Sequence, residues 1–128
     1  MSLKMKVMSL KTIMLNDVEY VRKSDINAQA DQCEGMDYVI VRTYSAGAFA
    51  GYLGKRNNQE VTLKKARRLW RWSGAASLSQ LAVDGVSNPG DCKFPCTVQS
   101  ILLLQVIEII PCTQKSKESI AGVPIWES

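Results

Sequence analysis

The chain contains no histidine. That removes the side chain whose ordinary pKa suits proton transfer near neutrality, and with it the Ser-His-Asp and Cys-His nucleophile arrangements and the His-containing metal sites. The sequence also lacks any uninterrupted apolar run of membrane-spanning length. The best candidate, Ile101 to Ile110, is broken by Gln105 and Glu108. The first residues, Met1 to Met14, scatter Lys4, Lys6 and Lys11 among Leu and Met, without the apolar centre and small-residue cleavage site of a secretory signal. A cytoplasmic protein with no membrane partner is the expectation. Gly47, Gly51 and Gly54 match neither a phosphate-binding Gly-Lys-Ser/Thr loop nor a dinucleotide fingerprint, so nucleotide hydrolysis is unsupported.

What is present is ordinary for a folded domain: 128 residues, 46% hydrophobic and 22% charged, with a formal charge of +4. This length fits a single domain over residues 1–128, with residues 1–9 read as an N-terminal extension. The positive balance favours anionic partners. Four cysteines, Cys33, Cys92, Cys96 and Cys112, read as reduced and mostly buried thiols in a reducing compartment. The Cys92/Cys96 spacing could supply half of a zinc site, but a closed site needs four ligands. No metal and no cofactor is expected.

Along the chain, Thr12–Leu15 and Val18–Arg22 flank Asn16-Asp17 and read as a β-hairpin. Ser24 to Met36 is polar and stays undecided between a short helix and a loop. Tyr38 to Tyr44 and Ala48 to Leu53 form a second hairpin across Ser45-Ala46-Gly47, with the neighbouring glycines marking a bent strand. Lys55 to Gln59 reads as a turn, and Glu60 to Trp72 as one or two strands. Ser73 or Ser77 can cap a helix carrying Leu78, Leu81 and Ala82, closed by Gly85. Val86 to Pro95 is a loop. Val98 to Ile110 reads as a buried strand bent near Gln105, with Glu108 at an edge or beside an Arg. Thr113 caps a last helix through Ala121, which Gly122 stops. The predicted class is α+β: a curved, mostly antiparallel sheet of about five to seven strands, or a partly open small barrel, with two short helices on one side.

One feature concentrates chemistry. Lys64-Lys65-Ala66-Arg67-Arg68-Leu69-Trp70-Arg71-Trp72 carries five cationic side chains and two indoles in nine residues. Guanidinium forks hold phosphates bidentately and indoles stack on bases, so Lys64, Lys65, Arg67, Arg68, Trp70, Arg71 and Trp72 form the candidate ligand site. As a strand, the segment puts Ala66, Arg68, Trp70 and Trp72 on one face and Arg67, Leu69 and Arg71 on the other. The competing reading makes the tryptophans core anchors and the charges a solvated edge. Asp17, Asp25, Asp31, Glu34, Asp37, Asp84 and Asp91 fall in turns, loops or helix ends, where local hydrogen bonding accounts for them.

The stretches Tyr38-Val-Ile-Val-Arg-Thr-Tyr-Ser-Ala-Gly47, Ala66-Arg-Arg-Leu-Trp70, Ser73-Gly-Ala-Ala-Ser-Leu-Ser-Gln-Leu-Ala82, Cys92-Lys-Phe-Pro95, Ile107-Glu-Ile-Ile-Pro-Cys112 and Val123-Pro-Ile-Trp126 resemble a family of small tailed-phage and prophage proteins of unassigned function. The resemblance implies a host bacterial cytoplasm and carries no catalytic residues with it. Small non-enzymatic phage proteins act against host defence, some by trapping nucleotide signals between subunits; this is an analogy of setting. The expected function is therefore a non-enzymatic accessory protein, of anti-defence type, that sequesters an anionic nucleotide-like ligand. A nucleic-acid-binding module and a protein-interaction or virion component are the alternatives. A homo-oligomer is expected, because two short helices leave apolar surface at Val98 to Ile110 and at Val123 to Trp126 uncovered.

Overall fold

A computed structural model of the chain describes residues 28–127. The hairpin expected at Thr12 to Arg22, and the start of the Ser24 to Met36 segment, lie outside the described residues. Five strands, β1 (Tyr38–Thr43), β2 (Ala48–Asn57), β3 (Glu60–Arg68), β4 (Thr97–Leu103) and β5 (Val106–Pro111), and two helices, α1 (Leu78–Asp84) and α2 (Gln114–Ala121), make an α+β fold. The strands form one antiparallel sheet in the order β4-β3-β2-β1-β5. It is curved and not closed. None of the helices described is long and apolar enough to cross a membrane.

β1 lies near the middle of the sheet because Tyr-Val-Ile-Val supplies bulky side chains to both faces, and the period-two alternation sorts them into two cores. Tyr38 and Ile40, with Ala48, Ala50 and Tyr52 of β2, join Leu81, Phe94 and Ile120 on the face that the helices cover. Val39, Val41, Phe49, Val61, Leu63, Leu103 and Val106 fill the inside of the curl. In β3 the alternation slips at Lys65, which holds a positive φ of 50°. Ala66 therefore stays inside the curl, and Arg67 turns towards the helix-covered core.

The curl is produced where the sheet changes edges. The expected single strand from Val98 to Ile110 is two strands, separated at Leu104-Gln105, where Gln105 has φ 56°. A two-residue connection usually makes a hairpin between neighbours. Here it joins the two outer strands: Leu103 pairs with Val61 of β3, and Val106 opposes Thr43 of β1. Tyr44 donates its N–H to Gln105 O at 3.0 Å and Val106 donates to Gln59 O at 2.9 Å, which draws this end of the sheet together. Nor is the run buried as expected. Val98, Leu102, Leu104 and Ile107 are all exposed, because the outer strands present one face to solvent. Glu108 sits on β5 and accepts from Arg42 Nε at 2.9 Å, giving it both an edge position and an Arg partner.

The hairpin across Ser45-Ala46-Gly47 and both helix caps fall where the sequence put them. Ser77 Oγ accepts from Gln80 N–H and Gly85 closes α1 with φ 77°. Thr113 Oγ1 accepts from Ser116 N–H at 3.1 Å at the start of α2. The helices are joined by the buried Ser116 hydroxyl, which donates to Leu81 O at 2.7 Å. The expected turn at Lys55 to Gln59 is shorter than the sequence suggested. β2 runs on to Asn57, and its register shifts on either side of Gly51 and Gly54 supply the bend.

Gly51 is required by a close approach: a Cβ there would lie 3.0 Å from Ala66 Cα and Lys64 O, both backbone atoms. Gly51→Val is expected to destabilise the fold by about 2–3 kcal/mol through strain in the β2–β3 pair. Gly90→Ala, with nothing within 4 Å, should leave stability within about 0.5 kcal/mol of wild type. Urea denaturation midpoints compare the two.

Candidate functional site

The basic segment does not form one surface. Lys64 reaches Ser100 Oγ at 3.3 Å, and Lys65 points its ammonium to Cys33 Sγ at 3.6 Å. Arg68 lies with its guanidinium 4.4 Å from the centroid of the Phe49 ring and donates to Ala46 O at 2.8 Å, so it steadies the β1–β2 turn. The strand ends at Arg68, so the two indoles do not share a face. Trp70 is 63% exposed, whereas Trp72 packs against the helix-side core.

Arg67 is the largest correction to the expected ligand set. It is buried, and its guanidinium donates to four backbone carbonyls: Nε to Pro95 O at 2.9 Å, Nη1 to Ile120 O at 2.7 Å, and Nη2 to Phe94 O at 3.1 Å and Val123 O at 2.7 Å. Its carbon lies 5.5 Å from the centroid of the Phe94 ring. Burial lowers its pKa from the usual arginine value, with the opposing effect of Tyr38 next in size. Ile120 belongs to the last turn of α2, where the negative end of the helix dipole favours a cation. The side chain is a clamp between β3, the loop before β4 and the segment after α2, rather than a phosphate ligand.

That clamp positions what sequence reasoning missed. With Phe94 and Val123 held on Arg67, Phe94 forms a parallel bridge with Ile125, and Trp126 N–H donates to Phe94 O at 3.0 Å. On the other side of the loop, Arg71 and Lys93 exchange backbone hydrogen bonds at 3.3 and 2.7 Å. Between these pairings lies a cleft of about 530 Å³ walled by Arg71, Trp72, Asp91, Cys92, Lys93 and Trp126. Its volume falls within the usual range of small-molecule sites. The Lys93 ammonium sits 5.3 Å from the centroid of the Trp126 ring. Two cations, two indoles and one carboxylate can together hold a phosphate, stack on a planar base and accept from a base edge. Of the expected residues, Arg71 and Trp72 are here; Lys64, Lys65, Arg67, Arg68 and Trp70 do not line the cleft. Lys93, Asp91 and Trp126 are distant in sequence, and no local pattern marks them as neighbours of Arg71.

The thiols are separate from one another in role. Cys92 is buried and Cys96 exposed, and Cys92 Sγ accepts from Ser73 N–H at 3.3 Å. Burial pushes the Cys112 thiol up to about 11, against the hydrogen bond from Ser116. Among the described residues no three Cys, Asp or Glu side chains are grouped to hold a metal ion.

The geometry defines a curved antiparallel α+β domain with a ligand-sized cleft between the residues that follow β3, the loop before β4 and the segment after α2. Residues 36–120 match the model of the family described as "Domain of unknown function (DUF6948)", and the chain belongs to that family. Three of the cleft's cation and indole residues, Arg71, Trp72 and Lys93, lie within the matched residues, and Trp126 lies beyond them. No curated protein and no solved structure matches the chain.

Removing the clamp leaves the carbonyls of Pro95 and Val123 without a donor among the described residues and takes one of two donors from those of Phe94 and Ile120. Arg67→Ala is expected to cost about 3 kcal/mol or more, and Arg67→Lys most of that, because an ammonium cannot reproduce the planar fork. Arg68→Ala should cost about 1 kcal/mol or less, as suits a half-exposed cation on an aromatic ring. Equilibrium unfolding in urea separates the clamp from its neighbour.

Proposed function

We propose that this chain is a non-enzymatic binding protein that sequesters an anionic, nucleotide-type ligand in the cleft between Arg71, Trp72, Lys93 and Trp126. The observation that carries this reading is the convergence of two cations and two indoles from three separate segments on one cleft of about 530 Å³. Arg71 and Lys93 would take the phosphates, and an indole face would take the base. Binding is favoured over turnover by what walls the cleft. Its one carboxylate is Asp91, its thiol is the buried Cys92, and the chain has no histidine to exchange protons with either. The phage or prophage setting, an anti-defence role and the host cytoplasm rest on the sequence resemblance. A second copy of the chain is the natural cover for the exposed Val98, Leu102 and Ile107 of the outer strands and Leu104 between them.

Isothermal titration with nucleoside mono-, di- and triphosphates should give saturable binding. Arg71→Ala and Lys93→Ala should each weaken it by about tenfold or more, the scale of a lost charged hydrogen bond. Trp126→Ala should weaken it by about five- to a hundredfold through lost stacking. A shallow fall of affinity with salt is expected; a steep one, with oligonucleotides preferred, favours the nucleic-acid alternative. Absence of binding by any nucleotide overturns the proposal. Sedimentation equilibrium of the unliganded protein should report a dimer or higher closed oligomer at micromolar concentration, and a strict monomer removes the proposed second copy.

A further inference from the structure

A second cavity, of about 220 Å³, opens where β3 bulges at Lys65 and α2 ends. Tyr38, Tyr52, Lys65, Arg67, Thr97 and Lys117 line it. These residues come from four strands and a helix, and beside the apolar Ile120 and Ala121 the polar part of the lining is one-sided: three cations, three hydroxyls and no carboxylate. The two ion pairs among the described residues, Arg42 with Glu108 and Lys115 with Asp84, lie elsewhere.

Each cation has a different local setting. Arg67 faces the carbonyls at the end of α2, so it offsets the negative end of that helix, which would otherwise repel an anion. Four of its N–H groups are engaged there, and the guanidinium fork carries one more. Lys117 holds its ammonium 5.5 Å from the centroid of the Tyr52 ring. The Tyr52 hydroxyl is the largest influence holding its pKa above the ordinary lysine value, and Asp31 acts on it only weakly, from beyond ion-pair distance. Lys65 has a thiol, not an acid, for its contact. Tyr38 is only 7% exposed and meets Tyr52 edge to face, with ring centroids 5.1 Å apart. Its hydroxyl has no hydrogen-bond partner among the described residues. Burial raises its pKa, so it keeps its proton and remains a donor.

Size limits the occupant. The cavity has the room of about seven waters and falls below the usual range for nucleotide-sized ligands. We propose that it is a separate binding site for a phosphate group, free or carried by a small phosphomonoester, held by Lys65 and Lys117 and by the hydroxyls of Tyr38, Tyr52 and Thr97. Two ammonium groups match the charge of a phosphate dianion, and the neutral hydroxyls complete its shell of donors.

The test uses the full chain and inorganic phosphate, titrated against sodium chloride at matched ionic strength. Thermal shift and calorimetry should report saturable phosphate binding that chloride does not imitate. Lys65→Gln and Lys117→Gln should each weaken it at least about tenfold, the equivalent of one charge-assisted hydrogen bond. Arg42→Gln, whose side chain lines neither cavity, should bind phosphate as wild type does, and Lys65→Gln and Lys117→Gln, which lie outside the larger cleft, should leave nucleotide affinity unchanged, so this site stands or falls apart from the nucleotide reading. Glycerol phosphate competing more tightly than inorganic phosphate identifies a monoester as the occupant, and weaker competition identifies the free ion. Either supports the site. An effect of phosphate no greater than that of chloride, or wild-type phosphate affinity in both lysine variants, overturns it.

Discussion

Four backbone carbonyls from two stretches of chain converge on the guanidinium of Arg67. A buried cation usually needs an acid, since an unpaired charge in a low-dielectric interior is expensive. Here the compensation is dipolar. Carbonyls at the end of α2 and in the loop before β4 point their negative ends at one planar fork, and those of Pro95 and Val123 would themselves need a donor if the arginine were absent. Ion and dipoles are thus each other's solvent. The loop carrying Lys93, the segment carrying Trp126 and the floor of the smaller cavity are all fixed from this one side chain, and the bulge at Lys65 turns it inward.

Much of the fold was legible because it is written in local rules. Ser77 with Gly85 and Thr113 with Gly122 announce helix ends through capping chemistry that depends on a few consecutive residues. Tyr38 to Leu53 announces a hairpin through β-branched runs flanking a turn. The strand division at Gln105 was only half legible. The periodicity showed a bend, but it cannot report that the two halves leave for opposite edges of the sheet, since that is decided by which partners remain unpaired. Exposure of Leu102 and Leu104 follows from the same topology.

The candidate site was less legible, for a different physical reason. Clustering of charge in sequence predicted clustering in space, yet alternation along a strand sends neighbours to opposite faces, and one bulge decides which face. Positive φ at Lys65 carries no local signature, because lysine gives none of the warning that glycine does. Arg67 was thereby read as a ligand when it is structural. Lys93 and Trp126 were passed over because their partner, Arg71, lies more than twenty residues from either. The cavity of Lys65 and Lys117 combines one residue from the basic run with one from a helix to which the sequence reading gave no ligand role.

The corner at Leu104-Gln105 also governs how this chain can change length. In most connections a gained or lost residue is absorbed by the loop and the flanking registers survive. Here one continuous run supplies both borders of the sheet, with Leu103 matched to β3 and Val106 to β1. A single-residue insertion or deletion within it must shift one pairing or the other, and a shift of one residue exchanges the inward and outward faces of a strand. Variation in length is therefore expected to collect in the turn around Ser45 and in the loop from Val86, leaving this corner invariant in length.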